Sequence, residues 1–225
     1  MFKERLHKLS PNLSEQQIDL MFDYFNLVIQ ANNEFNLTAI VEEDKAAELH
    51  FYDSIHSADL IPQNARVLDI GTGAGFPGIP LKIARPDIRL TMMDSVGKKT
   101  KFVLKATEKL SIEAEVLCAR AEDEAQGAMR ESFDCCASRA VASLRMLAEL
   151  CLPYVRVGGL FLAYKADYEL ELKEAEKTIH LLGGTLEKVI HSDGDSNHTV
   201  LVIRKLKKTP QGYPRRFARI LKNPL

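Results

Sequence analysis

The sequence predicts an α/β fold built on a doubly wound, mostly parallel sheet of seven strands with an N-terminal helical extension. Short apolar runs typical of strands begin at about residue 66, and helical stretches separate most of them. Strands that alternate with helices form parallel sheets covered on both faces. A glycine-rich turn after the first run indicates where a ligand would bind. The seven apolar runs are 66–70, 89–93, 114–118, 133–137, 159–164, 186–191 and 198–203.

The N-terminal part of the chain is predicted to be all helical. Residues 14–30 repeat apolar side chains at helical spacing, and Ser14 followed by Gln17 has the pattern of a capping box. A second helical pattern covers about 42–60. The apolar residues that share one face of the first helix are Ile18, Phe22, Phe25 and Ile29. We therefore expect a helical extension over residues 1–62.

The sheet is expected to span residues 63–206, followed by a basic C-terminal tail at 207–225. The last two strands are separated by a short turn at 193–197, so they should pair antiparallel as a hairpin. The helices expected between the strands lie near 78–85, 97–110, 143–155 and 168–182.

The composition fits one soluble domain with appendages. The chain has 225 residues, of which 46% are hydrophobic, enough for one sizeable core. No apolar run approaches the ~18 residues that a membrane span needs, so we expect a cytoplasmic protein without membrane contact. The four cysteines lack CxxC spacing, which indicates a reducing compartment and no metal site. They are Cys118, Cys135, Cys136 and Cys151, and all lie in apolar stretches.

The charge of the chain is unevenly distributed. Its 30 Lys and Arg residues and 31 Asp and Glu residues give a formal net charge of −1. Eight of the basic residues and no acidic residue lie in 204–225, which leaves −9 on residues 1–203. A basic end on an acidic body indicates a polyanionic partner contacted from one side. The alternative is a solvated end without a binding role.

The predicted ligand site is the glycine-rich turn after the first strand. That strand runs directly into GTGAGFPG at 71–78, which opens a helix. Open α/β folds bind ligands at such strand-to-helix turns, and glycines let a ligand approach the backbone closely. Gly71, Gly73 and Gly75 are therefore expected to bind a cofactor. The alternative is a turn without a ligand.

The acidic residue Asp69 favours S-adenosylmethionine over a dinucleotide at this turn, although the glycines alone also satisfy the GxGxxG dinucleotide pattern. Asp69 lies just before the turn, where it would repel the pyrophosphate of a dinucleotide and favour a cationic ligand. Asp94 closes the second strand and suits the ribose diol of either ligand. Residues 120–123 follow the third strand, where class I methyltransferases usually place the residues that edge the adenine.

Several motifs together resemble the RsmG family, also called GidB or glucose-inhibited division protein B. The resemblance covers nearly the whole chain, and its most specific element is the Pro-Gly-x-Pro run directly after the glycines. Two positions depart from the family pattern: Ala166 follows Lys165 where a glycine is common, and 217–219 read Phe-Ala-Arg where members often carry a glycine. The motifs are DIGTGAGFPGIP at 69–80, DSVGKK at 94–99, SRAVA at 138–142, NLTAI at 36–40, HFYDSI at 50–55 and YPRR at 213–216.

The resemblance implies a class I methyltransferase that uses S-adenosylmethionine to methylate N7 of a guanine in 16S ribosomal RNA of the small subunit. It also implies that Gly71 and Phe76 line the cofactor, that Ala121 and Glu122 flank its adenine, and that Arg139 completes the site. We expect no metal and no obligate protein partner. Two alternatives remain: a methyltransferase for a small molecule or protein, and a dinucleotide-binding oxidoreductase.

Guanine N7 carries a free lone pair and no proton, so its methylation needs no general base and we expect no catalytic acid or base. Arg139 ends an apolar strand at the ligand edge and needs a partner such as Glu122 or a ribose-phosphate. Together with Lys165 it is expected to orient the nucleotide. His50 lies among aromatic residues, where a packed histidine is more frequent than a catalytic one.

A row of lysines follows the second strand at helical spacing. It is either a solvated face or a contact to RNA phosphate beside the cofactor. The row comprises Lys98, Lys101, Lys105 and Lys109.

Overall fold

The described part of the chain forms the predicted seven-stranded, doubly wound sheet. The computed structural model describes residues 1–139, 142–192 and 198–225, and for Phe35 the backbone only. The strands are β1 (Arg66–Ile70), β2 (Arg89–Asp94), β3 (Glu115–Cys118), β4 (Phe133–Ser138), β5 (Val155–Lys165), β6 (Gly184–His191) and β7 (Thr199–Lys205). Their order is β3-β2-β1-β4-β5-β7-β6, and β7 runs antiparallel to both of its neighbours. The order reverses between β1 and β4, which places a ligand-binding switch point over their carboxyl ends.

Two predicted features coincide with residues that the structure leaves undescribed. Strands β6 and β7 pair antiparallel as expected, but the predicted turn at 193–197 lies outside the described residues. Ala140 and Val141 of the SRAVA motif also lie outside them.

Helices cover both faces of this sheet. The N-terminal ones are α1 (Phe2–Leu9), α2 (Glu15–Phe35), α3 (Glu43–Ala46), a π-helix (Ala47–Tyr52), α4 (Asp53–Ile55) and a 3-10 turn (Ala58–Leu60). The later ones are α5 (Gly78–Ala84), α6 (Gly97–Lys109), α7 (Ala121–Glu124), α8 (Leu144–Cys151), a 3-10 turn (Leu152–Tyr154), α9 (Glu169–Leu181) and α10 (Phe217–Lys222).

The two faces of the sheet carry separate hydrophobic clusters. On one face the N-terminal helices, α5 and α6 pack with strand residues such as Val67 and Cys135. On the other face α8, α9 and α10 pack with strand residues such as Leu68 and Cys136. Neighbouring residues of one strand thus enter opposite clusters, as the two-residue period of a strand requires.

The N-terminal extension matches its prediction in part. The capping box is confirmed, because the Gln17 N–H donates to Ser14 Oγ at 3.3 Å and the Ser14 N–H donates to Gln17 Oε1 at 2.9 Å. The segment predicted at 42–60 is helical but interrupted, with a π-helix in its middle. Helix α1 lies within the predicted helical extension, although the sequence analysis did not give its position, and it packs through the fully buried Phe2 and Leu6.

The C-terminal segment (residues 207–225) packs against the sheet domain. Ile220 in α10 is fully buried in the cluster that covers one sheet face. Arg215 forms an ion pair with Glu149, whose side chain is fully buried in α8. The sequence predicted a basic tail here. Neither α10 nor its packing against the domain was predicted.

The described residues contain no helix long and apolar enough to cross a membrane. All four cysteines are free; three are buried, whereas Cys118 is exposed despite its apolar neighbours in the sequence.

Candidate cofactor site

The turn after β1 brings the predicted glycines to the carboxyl edge of the sheet. The N–H groups of Gly71 and Thr72 donate to the carbonyl oxygen of Met93 at 2.8 and 3.2 Å, which ties the turn to β2. Gly71, Gly73 and Gly75 have φ values of 73°, 58° and 83°. Residues with a Cβ rarely adopt such angles, so the backbone of the turn favours glycine at all three positions.

Asp69 stabilises this turn through hydrogen bonds of its side chain. Its side chain is fully buried, and Oδ2 accepts hydrogen bonds from Thr72 Oγ1 at 2.7 Å and from the Gly78 N–H at 2.9 Å. Burial raises the pKa of this carboxyl to about 6, against the opposing effect of the two hydrogen bonds. Within the described residues Oδ1 has no hydrogen-bond partner. A buried acid with an incomplete set of partners favours a cationic group nearby.

A cavity of about 230 Å³ opens beside the turn. Asp94 lies on its wall, where Oδ2 accepts from the Gly73 N–H at 3.0 Å and Oδ1 accepts from the Val96 N–H at 2.9 Å. Each carboxylate oxygen retains a further lone pair for a ligand hydroxyl. Four of the predicted cofactor residues line this one cavity: Gly71, Asp94, Ala121 and Glu122.

The rest of the cavity lining contains polar and apolar residues. Tyr154 Oη donates to the carbonyl oxygen of Ala121 at 2.6 Å and so fixes the start of α7. Glu122 follows, nearly buried, with Arg120 Nη1 at 3.8 Å from its carboxylate. The apolar residues of the lining include Ala142, Leu147, Leu150 and Phe217.

Two other predicted cofactor residues, Gly75 and Phe76, face the N-terminal extension instead. Tyr24 in α2 is fully buried, and its hydroxyl donates to the carbonyl oxygen of Ala74 at 2.5 Å. A Cβ on Gly75 would overlap that hydroxyl. The Phe76 ring stacks on the His50 ring with centroids 4.7 Å apart. These contacts join the turn to the extension.

Arg139 also contacts the extension. Its Nη1 donates to the carbonyl oxygens of Leu49 and His50 at 3.0 and 3.4 Å. The guanidinium carbon lies 5.0 Å from the centre of the Phe76 ring. The structure therefore does not give Arg139 the partner suggested from the sequence, Glu122, because the side chain points toward the π-helix and satisfies its carbonyl groups.

His50 is a packed and neutral residue. Arg139 can only donate, so His50 Nδ1 accepts from Arg139 Nη2 at 3.3 Å, and the ring proton is on Nε2. That nitrogen donates to Thr38 Oγ1 at 2.7 Å. Burial, together with the charge of Arg139, lowers the pKa of His50 to about 3. The geometry agrees with the structural interpretation of this histidine.

Lys165 has protein partners at the end of β5. Its Nζ donates to the carbonyl oxygen of Ala142 at 2.7 Å and pairs with Glu171 at 2.8 Å. Asp53, which is buried in α4, pairs with His198. Any contact of these groups with a nucleotide would have to compete with these pairs.

Two aromatic residues of the site were missed in the sequence. Tyr24 is fully buried but is not among the apolar residues that the sequence placed on one face of α2, so its contact with the turn was not predicted. Phe217 lies in a segment interpreted by its charge alone, although Phe217 and Ile220 are spaced like the buried side of a helix.

The fold and the cavity define a class I S-adenosylmethionine-dependent methyltransferase. A similar fold occurs in the SAM-dependent O-methyltransferase from Thermotoga maritima (TM-score 0.57, 14% identity, 81% of this chain and 73% of that chain). It also occurs in M. jannaschii TYW2 in complex with AdoMet (TM-score 0.57, 13% identity, 75% of this chain and 80% of that chain). At such identities the likeness shows the fold alone.

Within this class the chain belongs to the GidB family, described as rRNA small subunit methyltransferase G, whose model matches residues 17–200. The chain is similar to the Ribosomal RNA small subunit methyltransferase G of Acetivibrio thermocellus, with 40% identity over 220 residues, 95% of this chain and 91% of the relative. It is 43% identical to that of Lachnoclostridium phytofermentans over 232 residues, 100% of this chain and 96% of the relative. The predicted family, enzyme class and cofactor are confirmed.

Proposed function

We propose that the protein transfers a methyl group from S-adenosylmethionine to N7 of a guanosine in 16S ribosomal RNA, in the cytoplasm. The observation that carries this proposal is the cavity at the carboxyl edge of β1 and β2, in a chain that belongs to the GidB family. The choice of N7 and of 16S RNA follows from the family resemblance.

The residues of the cavity fit the parts of S-adenosylmethionine. Asp94 would accept hydrogen bonds from the ribose hydroxyls through the lone pairs that its backbone contacts leave. Ala121 and Glu122 would edge the adenine, and Gly71 would let the cofactor approach the end of β1. Gly73 would act through Asp94, to which its N–H donates.

The remaining predicted residues would support the site from its other side. Gly75, Phe76 and Arg139 contact the extension, so we assign them to the wall that keeps the turn in position. Contact of these three residues with the cofactor stays a prediction.

The chemistry requires alignment rather than acid–base catalysis. The cofactor supplies an electrophilic methyl group on a sulfonium. Guanine N7 has no proton to lose, so the protein need only hold the base in line, which can provide several kcal/mol of the barrier. His50 is neutral at neutral pH and both of its ring nitrogens are engaged in hydrogen bonds within the protein, so it is not placed to act as a general acid or base. Its contacts suit positioning of Arg139.

The RNA would contact a basic row along α6. Its members, Lys98, Lys101, Lys105 and Lys109, are exposed and lie three or four residues apart. They border a groove of about 500 Å³ between α6 and α2. The apolar residues of this groove include Leu27, Ala31 and Phe102. On a chain whose residues 1–203 carry a formal charge of −9, the row offers the RNA backbone a local attraction.

The test is methylation of small ribosomal subunits taken from cells that lack the protein. We expect one methylated guanosine, and no methylation of RNA that carries 7-deazaguanosine at that position. The rate of a single turnover should stay nearly constant around neutral pH, because no protein group must gain or lose a proton.

Other outcomes identify the alternatives. Methylation of the deaza RNA, or a steep pH limb that one His, Asp or Glu substitution removes, would point to another acceptor atom. Methyl transfer to a small molecule or protein without competition by RNA would favour the other methyltransferase class.

A further inference from the structure

We propose that the C-terminal segment closes the cofactor pocket and that Phe217 forms the wall against which the adenine stacks. Phe217 is the first residue of α10 and lines the same cavity as Asp94, Ala121 and Glu122. It lies beyond residues 17–200, which the family model matches. The inference rests on the assignment of this cavity to S-adenosylmethionine and extends it to a segment whose charge alone suggested a role in binding RNA.

The cavity lining contains both kinds of surface that bind a purine, polar and apolar. Asp94 and Glu122 provide carboxylates for hydroxyl and amino groups. Leu147 and Leu150 of α8, with Phe217 of α10, provide apolar surface in the same cavity. The faces of a base are flat and apolar while its edge is polar, so the base would stack on the Phe217 side with its edge toward Glu122.

One ion pair fixes the position of Phe217 relative to this wall. Arg215 donates from Nε to Glu149 Oε1 at 2.7 Å and from Nη2 to Oε2 at 2.6 Å, and its backbone N–H donates to Oε1 at 2.9 Å. Glu149 is fully buried in α8 and lies between Leu147 and Leu150 in the sequence. A bidentate pair of this kind has a defined geometry. The same helix therefore supplies the apolar wall and anchors the segment that completes it.

Further contacts hold the C-terminal segment on both sides of Arg215. Before it, Arg130 donates to the carbonyl oxygens of Tyr213 and Thr209 at 2.7 and 2.9 Å. After it, Ile220 is fully buried. The segment is thus docked on the domain, and Arg215 is not available to RNA without breaking its pair with Glu149.

The absence of tryptophan from the chain allows a direct test. In Phe217→Trp, the fluorescence of the single indole should change when S-adenosylmethionine, S-adenosylhomocysteine or adenosine is added. The Kd from this titration should equal the Kd from calorimetry on the same variant. Leu221→Trp is the matched control, because Leu221 lies on the same helix with 61% of its surface exposed. Its fluorescence should not respond.

Calorimetry on Phe217→Ala supplies the second measurement. Affinity for S-adenosylmethionine should fall by about tenfold or more, as expected when a base loses an aromatic ring beneath it. The affinity of Phe217→Leu, which keeps an apolar side chain without a ring, should lie between those of Phe217→Ala and the wild type. Leu221→Ala should bind like the wild type.

The outcomes separate this inference from the proposed function. If the wild type binds S-adenosylmethionine, but Phe217→Ala binds equally well and a folded Phe217→Trp gives no response, the role of Phe217 is overturned while the cofactor site stands. If the wild type binds no S-adenosylmethionine, both fail. If Phe217→Ala does not fold, Phe217→Leu and Phe217→Trp decide the question, with circular dichroism as the check on folding.

Discussion

Gly73 and Gly75 belong to the same turn and the same sequence pattern, yet they face different neighbours. A Cβ on Gly73 would meet nothing closer than the carbonyl oxygen of Gly71 at 3.9 Å. A Cβ on Gly75 would overlap the hydroxyl of Tyr24 and lie 2.8 Å from Ile79 Cγ1. The N–H of the first position donates to Asp94, which lines the candidate cofactor cavity, and the second position packs against a helix of the extension. A glycine pattern therefore indicates the backbone angle, whereas the rest of the fold decides which side a ligand can occupy.

The largest expected effect follows from substituting these two glycines in turn. Gly75→Ala should lower the free energy of unfolding by about 3 kcal/mol or more, because it adds an overlap to an unfavourable φ. Gly73→Ala is the matched control and should cost about 1–2 kcal/mol, from its φ alone. Urea unfolding measures both. Equal losses in the two variants would contradict the comparison.

A double-mutant cycle sharpens the same prediction. Tyr24→Phe removes the hydroxyl that a Cβ at position 75 would overlap, and by itself should cost about 1–3 kcal/mol because the carbonyl group of Ala74 loses its partner. The cost of Gly75→Ala should be smaller in that background than in the wild type, although Tyr24 Cζ at 3.3 Å still restrains the site. Strict additivity would mean that the hydroxyl is not what excludes a side chain there.

The next effect tests the cofactor side. Asp94→Asn should weaken binding of S-adenosylmethionine by about tenfold or more, since hydrogen bonds to a charged acceptor contribute about 1.5–3 kcal/mol each. The affinity should change far more than in Tyr24→Phe, which acts on the other side. Calorimetry gives both numbers, with Asp59→Asn, an exposed acid in the extension, as the control. Unchanged affinity in Asp94→Asn would remove Asp94 from the site.

A pH titration examines the extension side through His50. Its pKa is about 3 in the folded protein, against an ordinary value of 6.5, so between these values the unfolded chain binds a proton that the folded chain does not. Stability is therefore lost as the pH falls below about 6.5, by about 1.4 kcal/mol per pH unit. Asp69 acts in the opposite direction, because its raised pKa of about 6 means that the folded chain takes up a proton first as the pH falls.

Subtracting the stability curve of His50→Gln from that of the wild type isolates the histidine. We expect the variant to lose less stability than the wild type between neutral pH and about pH 4. His180→Gln, at an exposed position of α9, should keep the wild-type slope. Parallel curves for wild type and His50→Gln would show that His50 titrates alike in the folded and unfolded chains.

Features that depend on residues close together in the sequence could be predicted, and contacts between distant residues could not. Periodicity and capping are local, so the strands and the Ser14 cap follow from the sequence. Asp94 follows too, because parallel strands end at one edge of the sheet. The hydrogen bond of Tyr24 to Ala74 joins residues 50 positions apart, and no local pattern encodes it. Phe217 was obscured because the positive charge around it predicted a tail, whereas the buried Glu149 that holds this segment lies elsewhere in the sequence.

The smallest expected effect concerns the RNA, which would approach along α6 where this helix meets α2 of the extension. The pair Lys101→Gln and Lys105→Gln should weaken RNA binding and flatten its dependence on salt. The slope of log K against log salt is negative, and its magnitude should decrease by about 0.7–0.9 for each phosphate that no longer has a lysine beside it. Affinity for S-adenosylmethionine should stay at the wild-type value, because neither lysine lines the cofactor cavity.

The control for this pair lies on the opposite face of the sheet. Lys173 and Lys177 of α9 are also exposed, and replacing both with Gln removes the same charge from the protein. If the attraction came from net charge, the two pairs would flatten the salt dependence equally. A larger change for the α6 pair would instead locate the bound phosphates beside the groove between α2 and α6. An equal change would remove that groove from the RNA path and leave the exposed basic residues of the C-terminal segment to be tested next.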